Sequence, residues 1–415
     1  MHKLLLAGAS VGAILAASSA MAQDDPVKIG FMATLEGTYT VLGEDGLRGF
    51  RMALMEAGDE AGGRKIEYVI APTDASPDSA VRAARKLIEQ DNVDFIIGPL
   101  SGSEGIAIRD LAKNYPDVTI INGSSGAQET TYVEPADNFF RFNMDGAQWG
   151  VGLGDYVVNE KDWRYVAAVA EDYSFAYTNF LGFALEFCES GGEIVERFWV
   201  PLGTKDFASV IAALPDDVDA IYLGLGGGDA VNFLNQYQQA GGDANLIGGT
   251  IMVDGTVLNS KGNAKQALVG TPASGPQADT WEDPKWQAYV KAYQDAFPPD
   301  QRFASPSLLA TAYYNATNAA LQCLNSTGGD LSEGHEAFRG CLAGLELDAP
   351  NGKITLDDNR QAIGTNFVIE VVETSDGNLA TKMVKKVDNI PQTLGMDKAA
   401  FDAMGRPGRD IPACT

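Results

Sequence analysis

The sequence predicts an α/β protein made of two doubly wound α/β lobes. Short, continuous apolar runs alternate with helical segments in two successive series, over residues 27–121 and 149–251. Such runs are typical of parallel strands that helices cover on both faces. The length of 415 residues and the hydrophobic content of 45% are sufficient for more than one core.

The first series begins with the β-type run Val27–Met32, and an amphipathic helix is predicted over Glu44–Ala57 because apolar residues recur there at helical spacing. A second helix is predicted to begin at Ser76–Pro77, since serine caps helices and proline is favoured in the first turn. The remaining predicted elements are strands at Ile66–Ala71, Phe95–Ile97 and Val118–Ile121 and a helix at Ser103–Lys113.

The second series repeats this alternation. Its predicted strands are Val166–Val169, Ile194–Val200, Ala220–Leu223 and Leu246–Ile251, and its predicted helices are Trp149–Val158, Phe175–Glu189, Phe207–Leu214 and Ala230–Ala240. After Pro272 the pattern changes to helices at Trp286–Phe297, Leu308–Leu324 and Glu336–Leu345 and a strand at Phe367–Val372. This tail is too short for a third lobe, so we expect both lobes to share it and the chain to cross between them more than once.

The N-terminus has the pattern of a secretory signal peptide over Met1–Ala22. Lys3 provides the positive end, Leu4–Ala17 the apolar stretch and Ala20-Met21-Ala22 the cleavage pattern. We expect cleavage before Gln23 and export to the periplasm. A retained anchor is the alternative, but the apolar run is short for a membrane span.

Export makes disulfides possible, and the four cysteines Cys188, Cys323, Cys341 and Cys414 allow three full pairings. We favour a bridge between Cys323 and Cys341, because two antiparallel helices joined by a Gly-Gly turn would bring them together. Two buried thiols are the alternative at these positions.

Charge and composition exclude several classes of function. The net charge of −26 argues against nucleic acid and anionic membranes as partners. Without the signal peptide the only histidine is His335, which we expect at the surface, so histidine-rich metal sites and most histidine-dependent catalysis are excluded. After the predicted signal peptide, GxSxG, Walker A and HExxH motifs are missing. We therefore predict no enzyme, no cofactor and no metal; an exported enzyme is the minor alternative.

Loops that follow predicted strands are the candidates for ligand binding, because ligands bind at the carboxyl ends of strands in open α/β sheets. In Gly98–Gly105, the first turn of a helix could bind a carboxylate through free N–H groups. Ile121–Glu129 contains small residues that leave space and donors. A helix cap and a plain tight turn are the alternatives. The run Tyr222–Ala230 differs from a dinucleotide fingerprint, since its spacing is GxGGG.

These segments in order resemble a known family. VKIGFMATLEGTYTVLGEDGLRGFRMALMEAG, DNVDFIIGPLSGSEGIAI, VTIINGSSGA, RYVAAVAEDYSFAYTNF and VDAIYLGLGGGDAVNFLNQYQQAG are similar to periplasmic solute-binding proteins of the Leu/Ile/Val-binding type, across nearly all of residues 27–373. The resemblance implies a type I periplasmic-binding fold, with three hinge crossings and a ligand trapped between the lobes. We place the crossings near Asn143, Thr271 and Pro350. Lobe 1 would then comprise residues 23–143 and 272–350, and lobe 2 residues 144–271 and 351–415.

The resemblance also implies site residues and a partner. Backbone and hydroxyl groups of lobe 1 would hold a ligand carboxylate, and Asp254 is a displaced candidate for the acid that receives a ligand ammonium group; a turn aspartate is the alternative. The predicted ligand-binding residues are Leu42, Ser101, Gly102, Ser103, Ser124, Ser125, Gly126, Phe175, Gly227 and Asp254. The glycines at 226–228 stand where relatives carry an aromatic residue, which we expect to leave room for a bulkier apolar ligand.

The function implied is the monomeric binding component of an ATP-driven importer, which delivers a small carboxylate-bearing solute to a membrane permease. An aromatic or hydrophobic acid and a branched-chain amino acid are both open as ligands. A sensor of the same fold, acting on a protein partner, is the alternative function.

Overall fold

The computed structural model describes residues 25–413 and consists of two α/β lobes. The predicted signal peptide, its cleavage site and Cys414 lie outside the described residues. The first lobe is built on a six-stranded sheet, in the order β2-β3-β1-β4-β5-β6. Its strands are β1 (Val27–Thr34), β2 (Glu60–Ala61), β3 (Arg64–Thr73), β4 (Phe95–Ile97), β5 (Thr119–Ile121) and β6 (Phe139–Phe140), and the helices between them are α1 (Thr40–Glu56), α2 (Pro77–Glu89), α3 (Gly102–Ala112) and α4 (Glu129–Tyr132).

Helices cover both faces of the first sheet, as expected for a doubly wound lobe. Strand β1 pairs in parallel with β3 and β4, and its successive side chains enter different cores. Phe31 packs in the cluster that contains residues of α1, and Met32 packs with residues of α2 and α3 on the opposite face. The continuous apolar run of β1 therefore follows from burial on both sides.

The second lobe is built on a nine-stranded sheet, ordered β12-β13-β14-β11-β10-β9-β7-β8 with β15 paired to β14. Its elements as far as β11 are α5 (Gly146–Gly150), α6 (Leu153–Asn159), β7 (Tyr165–Glu171), α7 (Ser174–Glu189), β8 (Glu193–Val200), α8 (Ala208–Ala213), β9 (Ala220–Gly224), α9 (Gly227–Gln239), β10 (Asn245–Gly248), α10 (Gly255–Leu258), α11 (Asn263–Leu268) and β11 (Pro272–Gly275). Strands β8, β7, β9, β10 and β11 run parallel, whereas β14 is antiparallel to β11.

Both lobes share the remainder of the chain. Its elements are α12 (Pro284–Ala296), α13 (Leu308–Thr327), α14 (Glu336–Gly344), β12 (Leu347–Ala349), β13 (Gly352–Leu356), β14 (Ala362–Glu373), β15 (Leu379–Ile390) and α15 (Lys398–Ala403). Helix α13 packs against the first sheet, where Tyr313 Oη donates to Met32 O at 2.7 Å. Strands β14 and β15 extend the second sheet. No helix within residues 25–413 has the length and apolar character needed to cross a membrane.

Three passages connect the lobes, and one differs in position from the sequence expectation. The chain leaves the first sheet after β6, returns after β11, and enters the second sheet again through the hairpin β12–β13. The return was placed near Thr271, but Pro272–Gly275 pairs antiparallel with β14 and so belongs to the second sheet. The run Pro272–Gly275 was not predicted to be a strand, because proline and small residues give only a weak strand pattern.

A buried polar cluster connects the passage after β6 with the segment that follows the β12–β13 hairpin. Arg141 is fully buried and donates to the Gln361 side chain, and Asp145 lies 3.7 Å from its guanidinium. Arg141 also donates to the backbone oxygen of Ala127 at 2.6 Å, next to one of the candidate ligand loops. Because charges buried without partners are costly, this cluster holds the passages in a defined arrangement.

Helices α13 and α14 are joined by a disulfide between Cys323 and Cys341, the pair favoured from the sequence. The S–S distance is 2.04 Å and the Cα atoms lie 5.6 Å apart. His335, which was expected at the surface, is instead buried at 7% exposure, with Nδ1 2.9 Å from Thr119 Oγ1. Its charged neighbours in the sequence did not indicate that the start of α14 packs on β5.

The C-terminal segment, residues 391–413, contacts both lobes. Gln392 donates to Gln128 O at 3.2 Å on the first-lobe side, and the ring of Phe401 lies 5.3 Å from that of Tyr132 in α4. On the second lobe, Arg409 Nε donates to Asp172 Oδ1 at 2.8 Å. The segment therefore links the lobes through side-chain contacts, in addition to the three passages of the chain. The sequence did not predict this link.

Candidate functional site

A small cavity lies between the lobes, at the ends of their parallel strands. Its volume is about 340 Å³, which includes space that is open to solvent. The cavity is lined by Tyr39, Leu42, Leu100, Ser101, Gly102, Ser124, Gly126, Trp149, Tyr173, Phe175, Ile251, Leu308 and Leu309. Both lobes contribute to this wall, so a molecule held here would contact both of them.

The wall of the cavity is apolar and aromatic, and none of the residues lining it is charged. Four rings surround the space: Trp149 lies 5.9 Å from Phe175, Phe175 lies 6.1 Å from Tyr173, and Tyr173 lies 6.4 Å from Tyr39. Such a wall is suited to an apolar or aromatic body, with a few polar groups to orient it.

The polar groups at this wall are mainly hydrogen-bond donors. Helix α3 begins here, with Ser101 as its N-cap, and the Ser101 N–H donates to Glu104 Oε2 at 3.0 Å. The N–H groups of Gly102 and Ser103 occupy the first turn, where no intrahelical acceptor exists. Trp149 Nε1 is buried and has no hydrogen-bond partner among the described residues. Donors without acceptors favour an anionic group in the cavity.

The second predicted loop contributes less than expected. The N–H groups of Ser124 and Ser125 both donate to Pro99 O, at 3.1 and 3.3 Å, so these amides serve the fold. Ser124 and Gly126 line the cavity. Ser125 does not, because its hydroxyl lies against α3, where a Cβ at Gly105 would collide with it. Its position one residue along the loop turns it away from the cavity.

Two predicted residues of α3 make direct contact with the second lobe. Ser103 Oγ lies 3.0 Å from Ser174 Oγ, and a Cβ at Gly102 would lie 2.8 Å from the Cβ of Phe175. Gly102 lines the cavity and Ser103 does not. The first turn of α3 and the first turn of α7 are therefore pressed together, and the lobes are closed on the cavity.

Gly227 has a different role from the one expected of it. Its φ is +51°, and a Cβ there would lie 2.7 Å from the backbone oxygen of Thr38. Thr38 Oγ1 also donates to Asp229 at 2.9 Å. The glycine therefore accommodates a turn of the first lobe and does not enlarge the cavity, which it does not line.

Asp254 does not line the cavity either. It caps α10, with Oδ1 accepting from Thr256 N at 2.5 Å and Oδ2 accepting from Gly227 N at 3.3 Å. Burial raises the pKa of Asp254 to about 6. The turn aspartate considered as the alternative is thus the arrangement in the structure, and Gly255 after it is the first residue of the helix.

Sequence reasoning missed the aromatic residues Tyr39, Tyr173 and Trp149, and also Glu171 behind them. Glu171 ends β7 and is fully buried, and its carboxylate accepts from Tyr39 Oη. Burial raises the pKa of Glu171 well above its usual value. A signal was available, since a glutamate that ends an otherwise apolar strand lies at the functional edge of a parallel sheet.

Two α/β lobes, three connections and a cavity between the lobes define a solute-binding protein with the type I periplasmic-binding fold. A family model described as periplasmic binding protein matches residues 26–378. The chain belongs to this family.

Individual relatives agree with this assignment. The chain is 23% identical over 393 residues to Leu/Ile/Val-binding protein homolog 6 of Brucella melitensis, covering 93% of this chain and 97% of the relative. A solute-binding protein of an ABC transporter from Rhodopseudomonas palustris, solved with 3,4-dihydroxybenzoic acid, superposes with a TM-score of 0.80 at 25% identity, covering 89% of this chain and 99% of that one.

A branched-chain amino acid transporter substrate-binding protein from Streptococcus pneumoniae, solved with isoleucine, also has the same fold. It superposes with a TM-score of 0.73 at 21% identity, covering 87% of this chain and 100% of that one. The chain is thus similar both to a protein that binds an aromatic acid and to one that binds an amino acid.

Proposed function

We propose that this protein is the periplasmic binding component of an ABC importer and captures a small carboxylate with an apolar or aromatic body. The lobes close around the ligand, and a membrane permease recognises the closed form. A ligand favours closure only if it binds the closed state more tightly than the open one. A cavity whose wall comes from both lobes supports this, because its contacts are complete only after closure.

The observation that carries the proposal is the combination of an uncharged, aromatic wall with unpaired donors. Trp149 Nε1 and the first-turn N–H groups of α3 could hold a carboxylate, and Tyr173 and Phe175 would pack on the apolar body. The R. palustris protein, which was solved with 3,4-dihydroxybenzoic acid, supports a ligand of this chemistry.

Binding can be tested on the mature protein with benzoate, 3,4-dihydroxybenzoate, 4-methylpentanoate and L-leucine. A ligand at 100 times its dissociation constant should stabilise the protein by about 2.7 kcal/mol, which a thermal melt detects. We expect at least one carboxylate to do so and neutral benzamide to have no effect. If no carboxylate shifts the melt, the proposed ligand class is wrong.

The importer role needs a separate measurement. Cells that lack the gene should take up the stabilising carboxylate more slowly, and the gene supplied in trans should restore uptake. Unchanged uptake in the deletion strain, with binding intact, would favour a sensor instead.

A further inference from the structure

The turn that precedes α1 enters the second lobe and reaches a buried acid. Tyr39 is 3% exposed and its hydroxyl donates to Glu171. The Tyr173 hydroxyl lies 3.0 Å from that of Tyr39, and the second oxygen of Glu171 accepts from Gly226 N at 3.1 Å. Tyr39 belongs to the first lobe and Glu171 to the second, so this contact exists only while the lobes are closed.

We propose that Tyr39 is a specificity-determining residue, which occupies the Glu171 carboxylate in the closed cleft and so excludes ligands that carry an ammonium group. This inference rests on the proposed function and narrows it to carboxylates without an α-ammonium group. Tyr39 lines the cavity and Glu171 lies behind it, so the tyrosine ring separates the ligand from the acid.

An ammonium group that enters a closed, apolar cleft needs a negative partner, because an unpaired buried charge is costly. The buried carboxylates near this wall are already engaged by protein donors. Asp254 caps α10, Asp229 accepts from Thr38 Oγ1 and from Gly203 N, and Glu171 accepts from Tyr39 and Gly226. In the first lobe, Glu104 accepts from Ser101 N through Oε2, and its Oε1 has no hydrogen-bond partner among the described residues. None of these four acids lines the cavity.

Glycines of the second lobe allow Tyr39 to take this position. A Cβ at Gly227 would lie 2.7 Å from Thr38 O and 3.3 Å from Tyr39 Cδ1. Any larger residue there would push the turn back and separate the hydroxyl from Glu171. Gly227 thus leaves room for the Tyr39 side chain. This side chain occupies the space next to Glu171.

The wild-type protein provides the first test, with two ligand pairs that differ only in the α-ammonium group. The pairs are 4-methylpentanoate with L-leucine, and 3-phenylpropanoate with L-phenylalanine. By calorimetry we expect the carboxylate of the pair that binds to be at least about 100-fold tighter than its amino acid. An amino acid that binds within about tenfold of its carboxylate would overturn the inference.

Three variants test whether Tyr39 causes the preference for the carboxylate over the amino acid. Tyr39→Ala removes the ring and opens Glu171 to the cavity, so the preference for the carboxylate over the amino acid should fall by about tenfold or more. Tyr39→Phe keeps the ring between the cavity and Glu171, so it should gain much less amino-acid binding than Tyr39→Ala although it loses the hydrogen bond to Glu171. Adding Glu171→Gln to Tyr39→Ala should abolish the gain, because the negative charge is gone. An equal gain in Tyr39→Phe, or a gain that survives Glu171→Gln, would contradict the role assigned to Tyr39.

The wild-type comparison needs no variant, so the inference can fail even if Tyr39→Ala does not fold. Failure of the proposed function is distinguishable, because the wild-type protein would then bind neither member of either pair nor benzoate. Failure of this inference alone would leave carboxylate binding intact, with the amino acids binding as well.

Discussion

Gly102 at the start of α3 lies directly against Phe175 at the start of α7, and this contact joins the two lobes beside the cavity. A Cβ at Gly102 would lie 2.8 Å from Phe175 Cβ and 2.9 Å from its backbone nitrogen. Both neighbours are rigid atoms of a helix start, so neither can move aside as the end of a flexible side chain would. The absence of a side chain at position 102 is therefore a requirement of the closed state.

Gly102→Ala should block closure and leave each lobe folded, because the three atoms nearest to the added methyl all belong to Phe175 of the opposite lobe. We expect carboxylate affinity to fall by at least about tenfold, which corresponds to roughly 1.4 kcal/mol. Gly340→Ala is the matched control, since Gly340 lies within α14 with nothing near its Cβ position. That control should bind normally and gain about 0.5–1 kcal/mol in helix stability. Normal affinity in Gly102→Ala would contradict the closed contact as a condition for binding.

Asp254→Asn tests whether Asp254 serves the fold or the ligand. Burial raises the pKa of Asp254 to about 6, so the folded state favours the protonated acid and loses stability as the pH rises from about 4 to about 6. Asparagine does not titrate. Relative to Asp254→Asn, the wild-type protein should therefore lose about 2–3 kcal/mol between pH 4 and pH 7 in denaturant titrations.

Carboxylate affinity in Asp254→Asn should change by less than about threefold, because the residue does not line the cavity. Loss of binding to a carboxylate ligand would show that Asp254 acts on the ligand after all.

His335→Asn should flatten the loss of stability in acid. Burial, together with the nearby Arg339, lowers the pKa of His335 to about 4. The unfolded chain binds a proton at about pH 6.5, so the wild-type protein loses roughly 2–3 kcal/mol of stability from this residue as the pH falls from about 6.5 to about 4. Asparagine suits the positive φ of +66° at this position and carries no proton. Parallel stability curves for the two proteins over this range would contradict the assignment.

Replacing both Cys323 and Cys341 with alanine should lower the free energy of unfolding by about 3 kcal/mol, since the bridge closes a loop of 18 residues. Both cysteines lie on helices of the first lobe, away from the cavity wall. Carboxylate affinity measured at 25 °C should therefore match that of the wild-type protein. A variant of unchanged stability would mean that the unfolded chain gains little freedom when this bridge is removed.

Much of the architecture could be predicted because strands that are buried on both faces appear in the sequence as continuous apolar runs. The run Phe95–Ile97 is predicted and observed with identical bounds, and Ser76–Pro77 begins α2 as its capping chemistry indicates. Strand β15 was missed because most of it is exposed or half-buried and only Leu379, Thr381 and Ile390 are buried, unlike the continuous apolar strands of the sheet. Antiparallel pairing with β14, which precedes it across a short turn, makes it a strand.

Residues of the candidate site could be predicted from the sequence only where they follow a parallel strand, because the end of the strand determines their place in the fold. Ser101, Gly102 and Ser124 follow parallel strands, and their loops lie at the cavity for that reason. The pairing of Tyr39 with Glu171 could not be read in this way, because the two residues are 132 positions apart and belong to different lobes. Asp254 was placed by likeness to relatives, whereas its two short backbone contacts make it a helix cap.

The C-terminal segment has a practical consequence for anyone who labels this protein. Arg409 is bound to Asp172, which directly precedes Tyr173 of the cavity wall, and Gln392 is bound to Gln128 of the first lobe. A fluorophore near residue 410 should therefore report the opening of the lobes. A bulky fusion at the C-terminus should be avoided, because it would disturb the contacts that residues 391–413 make with both lobes.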